Sequence, residues 1–313
     1  MEENNFFSDY SKNGYFITSP LLTHKEIFNI REDLDKEFKL HKEGKREGIE
    51  RIQNQDLLRK IIKIFASNEI QHITEKAEIF LKKKVLILPT FEIHKNNHVN
   101  LKEFIGWHAD CGGEMKYKYC KNILYDKKYF FSKVGVYLQK NEEYGGGIDV
   151  IKLSHKHFSR FAWIIRKIKN IPYRLIRAFH KNFNSLYFAF PEKFFMFFLG
   201  AKKLNPEIGS AVIFDSRIIH RGSPIEKNKI KNVNFVKGEF LAVVPKNKEK
   251  YSFYCHFGTL DALDSYFYDR LKRDNNSTEL SVWLKQIEII KKIDKNLGEK
   301  MDQFLIPLKN KYL

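Results

Sequence analysis

The chain has 313 residues, 43% of them hydrophobic, which is long and apolar enough for one large domain with a well-formed core. Its 56 Lys and Arg against 38 Asp and Glu give a formal net charge of +18, which favours anionic partners. Three widely spaced cysteines exclude a disulfide framework and a four-cysteine zinc site. Because neither a secretion signal nor a run of 18 apolar residues is visible, we expect a cytoplasmic protein.

The first quarter of the chain has the pattern of amphipathic helices, after a short strand predicted at residues 15–17. Thr23 and Glu26 have the spacing of a capping box, which marks the start of a helix. Apolar residues then recur at helical spacing in three segments, 27–38, 57–65 and 70–80. We therefore assign residues 1–83 to an N-terminal helical layer.

From residue 84 the apolar pattern becomes that of β-strands. Strands are predicted at 85–88 and 90–93 on either side of Pro89, and at 134–138, 148–151, 211–214 and 232–244. The glycine-rich turn at 141–147 predicts that the strands before and after it pair with each other. Helical patterns return at 261–272 and 277–294, so residues 246–313 are assigned to C-terminal helices. This order favours a mainly β core with flanking helices (α+β) over alternating βαβ units.

One stretch, at about residues 155–205, interrupts the β pattern. Residues 150–191 contain no Asp or Glu but nine Lys and Arg, interleaved with aromatic and aliphatic side chains. The spacing predicts a basic amphipathic helical insertion, with Arg174, Arg177 and Lys181 on one face, as in helices that lie on a membrane surface.

Three interpretations of the insertion remain open. Its apolar side chains, including Trp163, could pack on the sheet as ordinary core with the basic groups in solvent. Alternatively, residues 156–183 could contact an anionic membrane, which would make the protein peripherally membrane-associated. Nucleic acid is the least favoured partner of the insertion.

The candidate chemical site comes from two distant segments. His108 and Asp110 are two residues apart, so on an extended chain both point to the same side. His220 follows an apolar run that reads as a buried strand and precedes a Gly-Ser-Pro turn. Two His and one carboxylate form a facial triad that can hold iron(II) and leave positions open for a co-substrate and dioxygen. Lys231 enters an apolar strand and predicts an anionic ligand such as the distal carboxylate of 2-oxoglutarate.

Three sequence blocks carry a resemblance to a known family: Trp107–Asp110 (WHAD), residues 134–155 with the glycine-rich turn, and residues 209–224 (GSAVIFDSRIIHRGSP). With these blocks the chain resembles the phytanoyl-CoA dioxygenase family of iron(II)- and 2-oxoglutarate-dependent oxygenases over about residues 85–245.

The resemblance implies a double-stranded β-helix, or jelly-roll, with iron on His108, Asp110 and His220. It also implies that 2-oxoglutarate is held by a basic residue about eleven positions after the last His, and by a hydroxyl shortly after that His, here Ser223. The family has Arg where Lys231 stands, so Lys229 and Lys237 remain alternatives. The block from 155 to 203 has no counterpart in the family.

Together these features predict a single oxygenase domain over residues 1–313, with the jelly-roll core at 84–245 interrupted by the insertion. The predicted reaction uses Fe(II), 2-oxoglutarate and O2 to hydroxylate an unactivated C–H bond and releases succinate and CO2. The substrate would be a lipid, a lipid-linked sugar or another anionic small molecule. The alternative is a non-catalytic basic jelly-roll protein that binds membrane or nucleic acid.

Overall fold

The computed structural model describes most of the chain outside its loops and the predicted insertion. The described residues are 5–40, 46–96, 98–100, 107–110, 130–140, 147–155, 196–197, 200–223, 229, 233–236, 239–245, 248–262 and 277–312.

The longer helices lie at the two ends of the chain, as the sequence predicts. They are α1 (Asn5–Asn13), α2 (His24–Leu40), α3 (Gln55–Phe65), α4 (Asn68–Leu81), α5 (Ser277–Ile293) and α6 (Lys295–Tyr312). The predicted capping box starts α2, because the Thr23 backbone N–H donates to the Glu26 carboxylate at 2.8 Å and the Glu26 N–H donates to the Thr23 hydroxyl at 3.3 Å.

The strands form three antiparallel sheets. They are β1 (Tyr15–Pro20), β2 (Arg46–Gly48), β3 (Val85–Asn96), β4 (His98–Asn100), β5 (Phe131–Tyr137), β6 (Ile148–Ile151), β7 (Ala201–Leu204), β8 (Ser210–Asp215), β9 (His220–Gly222), β10 (Val233–Val236), β11 (Glu239–Val243) and β12 (Lys250–Thr259). The large sheet has the order β1-β8-β5-β12-β3-β2, the small sheet β7-β6-β9, and a third sheet β10-β11-β4.

Outside the third sheet, the chain passes back and forth between the large and the small sheet, which is the winding of a double-stranded β-helix. The chain passes from β3 in the large sheet to His108, which pairs with β9 of the small sheet, then to β5 in the large sheet. It continues through β6 and β7 in the small sheet, β8 in the large, β9 in the small and β12 in the large. The predicted fold class, a mainly β jelly-roll core with flanking helices, is therefore confirmed.

Two apolar cores hold the layers together. One lies between the large sheet and the helices, and it includes Leu34 of α2, Ile61 of α3 and Phe253 of β12. The other lies between the large and small sheets, with Phe214 and Val150 among its members. Because side chains alternate along a strand, β12 supplies Phe253 to the first core and Tyr254 to the second.

Three sequence predictions of strand arrangement are wrong. Residues 246–313 are not all helical, since β12 lies in the middle of the large sheet, so the jelly-roll core extends beyond residue 245. Pro89 does not separate two strands. It lies within β3, where three residues of β3 face one residue of β12 between the pairs His256–Leu88 and Tyr254–Glu92. A bulge of this kind accommodates a residue without an N–H donor.

The third wrong prediction concerns the glycine-rich turn. The strands on either side of it do not pair, because β5 pairs with β8 and β12, whereas β6 pairs with β7 and β9. The intervening segment carries the chain from one sheet to the other.

Candidate metal centre

Two backbone hydrogen bonds bring the histidines of the predicted triad together. The His108 N–H donates to the His220 carbonyl at 2.9 Å, and the His220 N–H donates to the His108 carbonyl at 2.7 Å. Residues paired in this way project from the same face of a sheet. Their imidazole rings accordingly lie with centroids 4.4 Å apart.

Asp110 completes the cluster. Its Oδ1 lies 3.9 Å from Nε2 of His108 and 3.7 Å from Nε2 of His220. One potential ligand atom from each of the three residues lies within 4.8 Å of the others. Donors on adjacent positions of one metal are about 3 Å apart, so small side-chain rotations would place all three on a single ion.

The protonation of His220 suits a metal ligand. Its Nδ1 lies 3.0 Å from the Ile218 carbonyl, which assigns the ring proton to Nδ1 and leaves the Nε2 lone pair directed at Asp110. Burial lowers the pKa of His220 to about 4, although Asp110 opposes the shift. The ring is therefore neutral, as a ligand must be, at physiological pH.

Asp110 is held as a carboxylate. Burial raises its pKa, but Lys133 and then the histidines outweigh burial and hold the pKa well below its usual range. Its Oδ2 is buried and makes no hydrogen bond among the described residues, although the Lys133 ammonium lies 3.4 Å away. One ammonium at 3.4 Å is a long and incomplete partner for a buried carboxylate, and a divalent cation would complete its coordination. The three residues therefore fit an iron(II) ion.

Lys133 is a residue that the sequence analysis did not identify. It is the only charged residue of the largely buried strand β5, with Nζ 5.0 Å from the ring centroid of Tyr254. A lysine inside an apolar strand was the available signal, since such a charge needs a partner. The face of the sheet from which the Lys133 side chain projects could not be inferred, because it depends on the register of β5 with β12.

A second lysine lies on the same inner face of the large sheet. Lys250 begins β12, and its Nζ lies 5.7 Å from the ring centroid of Tyr137. Ser252 and Tyr254 follow on the same side of β12, and Ser252 pairs with Tyr137 of β5. Lysines, a serine hydroxyl and tyrosine hydroxyls thus line the space between the sheets.

The electrostatics of this group favour an anion. Burial raises the pKa of Tyr254, but Lys250, Ser252, Lys133 and Tyr137 together outweigh burial and lower it. Burial and Tyr254 raise the pKa of the neighbouring Tyr137, so the two lysines rather than the tyrosines make this space suitable for a carboxylate. We call Lys133, Tyr137, Lys250, Ser252 and Tyr254 the anion subsite.

The residues predicted to hold the co-substrate have different outcomes. Lys231 and Lys237 lie outside the described residues, and Lys229 is described. The strand that follows Lys231, β10, belongs to the third sheet rather than to the sheets around the triad. Lys231 stays a prediction.

Ser223, the other residue predicted to hold the co-substrate, contacts Asp149 in the structure. Its hydroxyl donates to Oδ1 of Asp149 at 2.6 Å, so its only hydrogen is already used. The resemblance implied that this hydroxyl helps to hold 2-oxoglutarate, and that role stays a prediction beside the observed contact with Asp149.

The basic aromatic stretch predicted to contact a membrane or substrate is outside the described residues. Trp163, Arg174, Arg177 and Lys181 all lie there. Among the helices that the structure describes, none combines the length and apolarity needed to cross a membrane.

Comparisons with models of protein families and with curated proteins find no match. Solved structures do match at low identity. HygX from Streptomyces hygroscopicus, solved with nickel and 2-oxoglutarate bound, is 10% identical with a TM-score of 0.49, over 82% of this chain and 87% of that one. EctD from S. alaskensis in its apoform is 11% identical with a TM-score of 0.46, over 83% and 78%. AviO1 from Streptomyces viridochromogenes Tue57 is 10% identical with a TM-score of 0.44, over 82% and 94%.

Proposed function

We propose that the protein is an iron(II)- and 2-oxoglutarate-dependent dioxygenase. The observation that carries the proposal is the convergence of His108, Asp110 and His220 within a double-stranded β-helix, with ligand atoms inside 4.8 Å of one another. Two histidines and one carboxylate are the ligand set of non-haem iron oxygenases and leave coordination positions free. The three sequence blocks named above support assignment to the phytanoyl-CoA dioxygenase family.

In this proposal, different residues bind the metal, orient its ligands and exclude water. His108, Asp110 and His220 hold the metal, and the Ile218 carbonyl keeps the His220 ring in the orientation that exposes Nε2. When bound, iron(II) with 2-oxoglutarate and dioxygen supplies the oxidation of an unactivated C–H bond to C–OH, with succinate and carbon dioxide as the other products. Phe214, whose ring centroid lies 4.8 Å from that of His220, helps to exclude water beside this ligand.

The anion subsite is the better candidate for the co-substrate carboxylate. It lies on the inner face of the large sheet, and its Lys133 touches the ligand Asp110. An ammonium group beside hydroxyl donors is a suitable partner for a carboxylate. We therefore propose that Lys250 and Lys133, with Tyr254, hold 2-oxoglutarate. Lys231 is the alternative partner for the 2-oxoglutarate carboxylate.

The substrate class follows from charge and exposure. The net charge of +18 favours an anionic substrate. A lipid or a lipid-linked sugar also fits the exposed apolar residues at the edge of the small sheet. Phe197 and Leu153 are exposed next to the exposed Lys152, where the predicted insertion leaves and rejoins the small sheet. Exposed apolar groups beside basic groups are typical of a peripheral membrane contact.

The decisive experiment measures oxygen-dependent formation of succinate from 2-oxoglutarate by the iron-loaded protein. His108→Ala, Asp110→Ala and His220→Ala should each abolish it while circular dichroism shows a folded protein. Asp110→Glu should impair it too, because an extra methylene moves the oxygen by more than the roughly 0.5 Å such sites tolerate. Full turnover in any of the alanine variants would refute the triad. Absence of turnover in a wild-type protein that still binds anionic membranes would favour the non-catalytic alternative.

A further inference from the structure

A row of three side chains lies directly behind the two histidine ligands. Trp107 precedes His108, Arg221 follows His220, and Asp149 of β6 pairs with Arg221 of β9. Successive residues of a strand point to opposite faces. The row therefore occupies the face of the small sheet that is turned away from the metal ligands.

The contacts in this row are close and buried. The Arg221 guanidinium carbon lies 4.5 Å from the Trp107 ring centroid. Its Nε and Nη2 reach Oδ2 of Asp149 at 3.0 and 2.9 Å, while Oδ1 accepts the Ser223 hydroxyl at 2.6 Å. Arg221 and Asp149 are only 2% and 1% exposed. Nη2 also lies 3.2 Å from the Met196 sulfur.

The position of His108 depends on this neighbourhood. In the described part of the chain, the segment Trp107–Asp110 joins the small sheet through a single bridge, the His108–His220 pair. One bridge leaves the angle and spacing of a segment loosely defined. Trp107 under the guanidinium supplies a second attachment, one residue away from the first.

An arginine suits this task better than another cation. Its flat guanidinium can stack on an indole face and present a fork of donors to a carboxylate at the same time. Net stability is a poor explanation for such a buried pair, because its desolvation cost offsets most of its attraction.

We propose that Arg221 is a positioning residue that clamps Trp107 to β9 and β6, and thereby sets the spacing of the histidine ligands. The inference rests on the proposed metal site. In this proposal Arg221 contacts neither the metal nor the substrate.

The test compares two arginines that form similar pairs. Arg221→Lys keeps the charge but loses the fork and the stacked plane. Arg217→Lys is the matched control, because Arg217 forms a fork on the buried Asp215, with Nε to Oδ1 at 2.8 Å and Nη2 to Oδ2 at 2.6 Å. Anaerobic calorimetry would measure the affinity of each apoprotein for Co(II), and the visible spectrum of bound Co(II) would report coordination geometry.

We expect the affinity of Arg221→Lys for Co(II) to fall about 10- to 100-fold, with an altered spectrum, and that of Arg217→Lys to stay within about twofold of wild type. Equal affinity and spectrum in wild type and Arg221→Lys would overturn the inference, as would an equal loss in both variants. If Arg221→Lys does not fold, Trp107→Leu takes its place with the same expectation. A wild-type protein that binds no metal would instead overturn the proposed function, and the inference with it.

Discussion

At the residue scale, closeness along the chain positions two of the three triad residues, whereas contacts between distant strands position the anion subsite. His108 and Asp110 share a side because extended chain has a period of two, and His220 was marked by the apolar run before it. Lys133 and Lys250 carry no such mark. Whether they face the metal or the helices depends on the register of β5 with β12, which is a long-range property.

The anion subsite gives a prediction about co-substrate affinity. Lys250→Met removes an ammonium and keeps most of the stem, so a buried carboxylate would lose its partner at a cost of roughly 2–5 kcal/mol. Calorimetry with 2-oxoglutarate and the metal-loaded protein should then show a dissociation constant raised about 30-fold or more. Lys202→Met, which removes a more exposed lysine of β7, is the control. Unchanged affinity in Lys250→Met together with a loss in Lys231→Met would return the role to Lys231.

The pKa of His220 gives a prediction about the metal-free protein. A histidine has a pKa near 6.5 when unfolded, and burial lowers it to about 4 in the folded chain. Between these values the unfolded state binds the extra proton, so the free energy of unfolding should fall as pH falls from 6.5 to about 4, by up to about 3 kcal/mol.

Urea unfolding with a chelator present, measured from pH 7 to pH 4, would test this slope. His220→Gln should lose the part of the pH dependence that His220 contributes. Parallel stability curves for the two proteins would show that His220 does not titrate as its burial requires.

At the element scale, the helices were predicted well and β12 was missed. Local signals define a helix: the Thr23–Glu26 capping box and a repeat of apolar residues are enough for α2. The resemblance placed the co-substrate lysine about eleven residues after His220. The β10–β11 hairpin separates β9 from β12 in this chain, so Lys250 lies much further from His220 along the chain than Lys231 does.

The central place of β12 gives a stability prediction at Gly258. A Cβ there would lie 2.6 Å from the Phe130 carbonyl oxygen and 3.1 Å from the Phe131 ring, and a backbone atom cannot move aside easily. Gly258→Ala should therefore lower the free energy of unfolding by about 1–3 kcal/mol, measured by denaturant titration. Leu260→Ala, at a more exposed position just beyond the strand, should stay within about 0.5 kcal/mol of wild type. Wild-type stability in Gly258→Ala would argue against this close packing of β12.

At the scale of the whole molecule, composition gives the net positive charge but does not show which part of the surface binds an anionic partner. Several exposed basic groups lie on the terminal helices, including Lys36, Arg59 and Lys295 with 74%, 59% and 81% of their side chains exposed. Their acidic neighbours at helical spacing partly offset them. The acid-free stretch lacks such neighbours, so a membrane contact is expected there if it occurs at all.

The proposed membrane contact includes the described ends of that stretch. The Lys152 N–H donates to the Gly200 carbonyl at 3.3 Å, so the segment leaves and rejoins the small sheet at one place. There Phe197 is 87% exposed and Leu153 is 42% exposed. Two exposed apolar groups at one point, beside a basic segment, are suited to insertion at an anionic interface.

The last prediction follows from this placement. The protein should cosediment with anionic liposomes at low salt, and changing Arg174, Arg177 and Lys181 together to Gln should remove roughly 3 kcal/mol of attraction, about 1 kcal/mol for each charge. The control changes Lys36, Arg59 and Lys295 to Gln, which lowers the net charge by the same amount on the terminal helices and should leave binding nearly unchanged. Equal losses in both triple variants would mean that net charge alone attracts the protein. Absence of binding at low salt would leave a soluble anionic substrate as the reason for the charge, because surface attraction is strongest where screening is weakest.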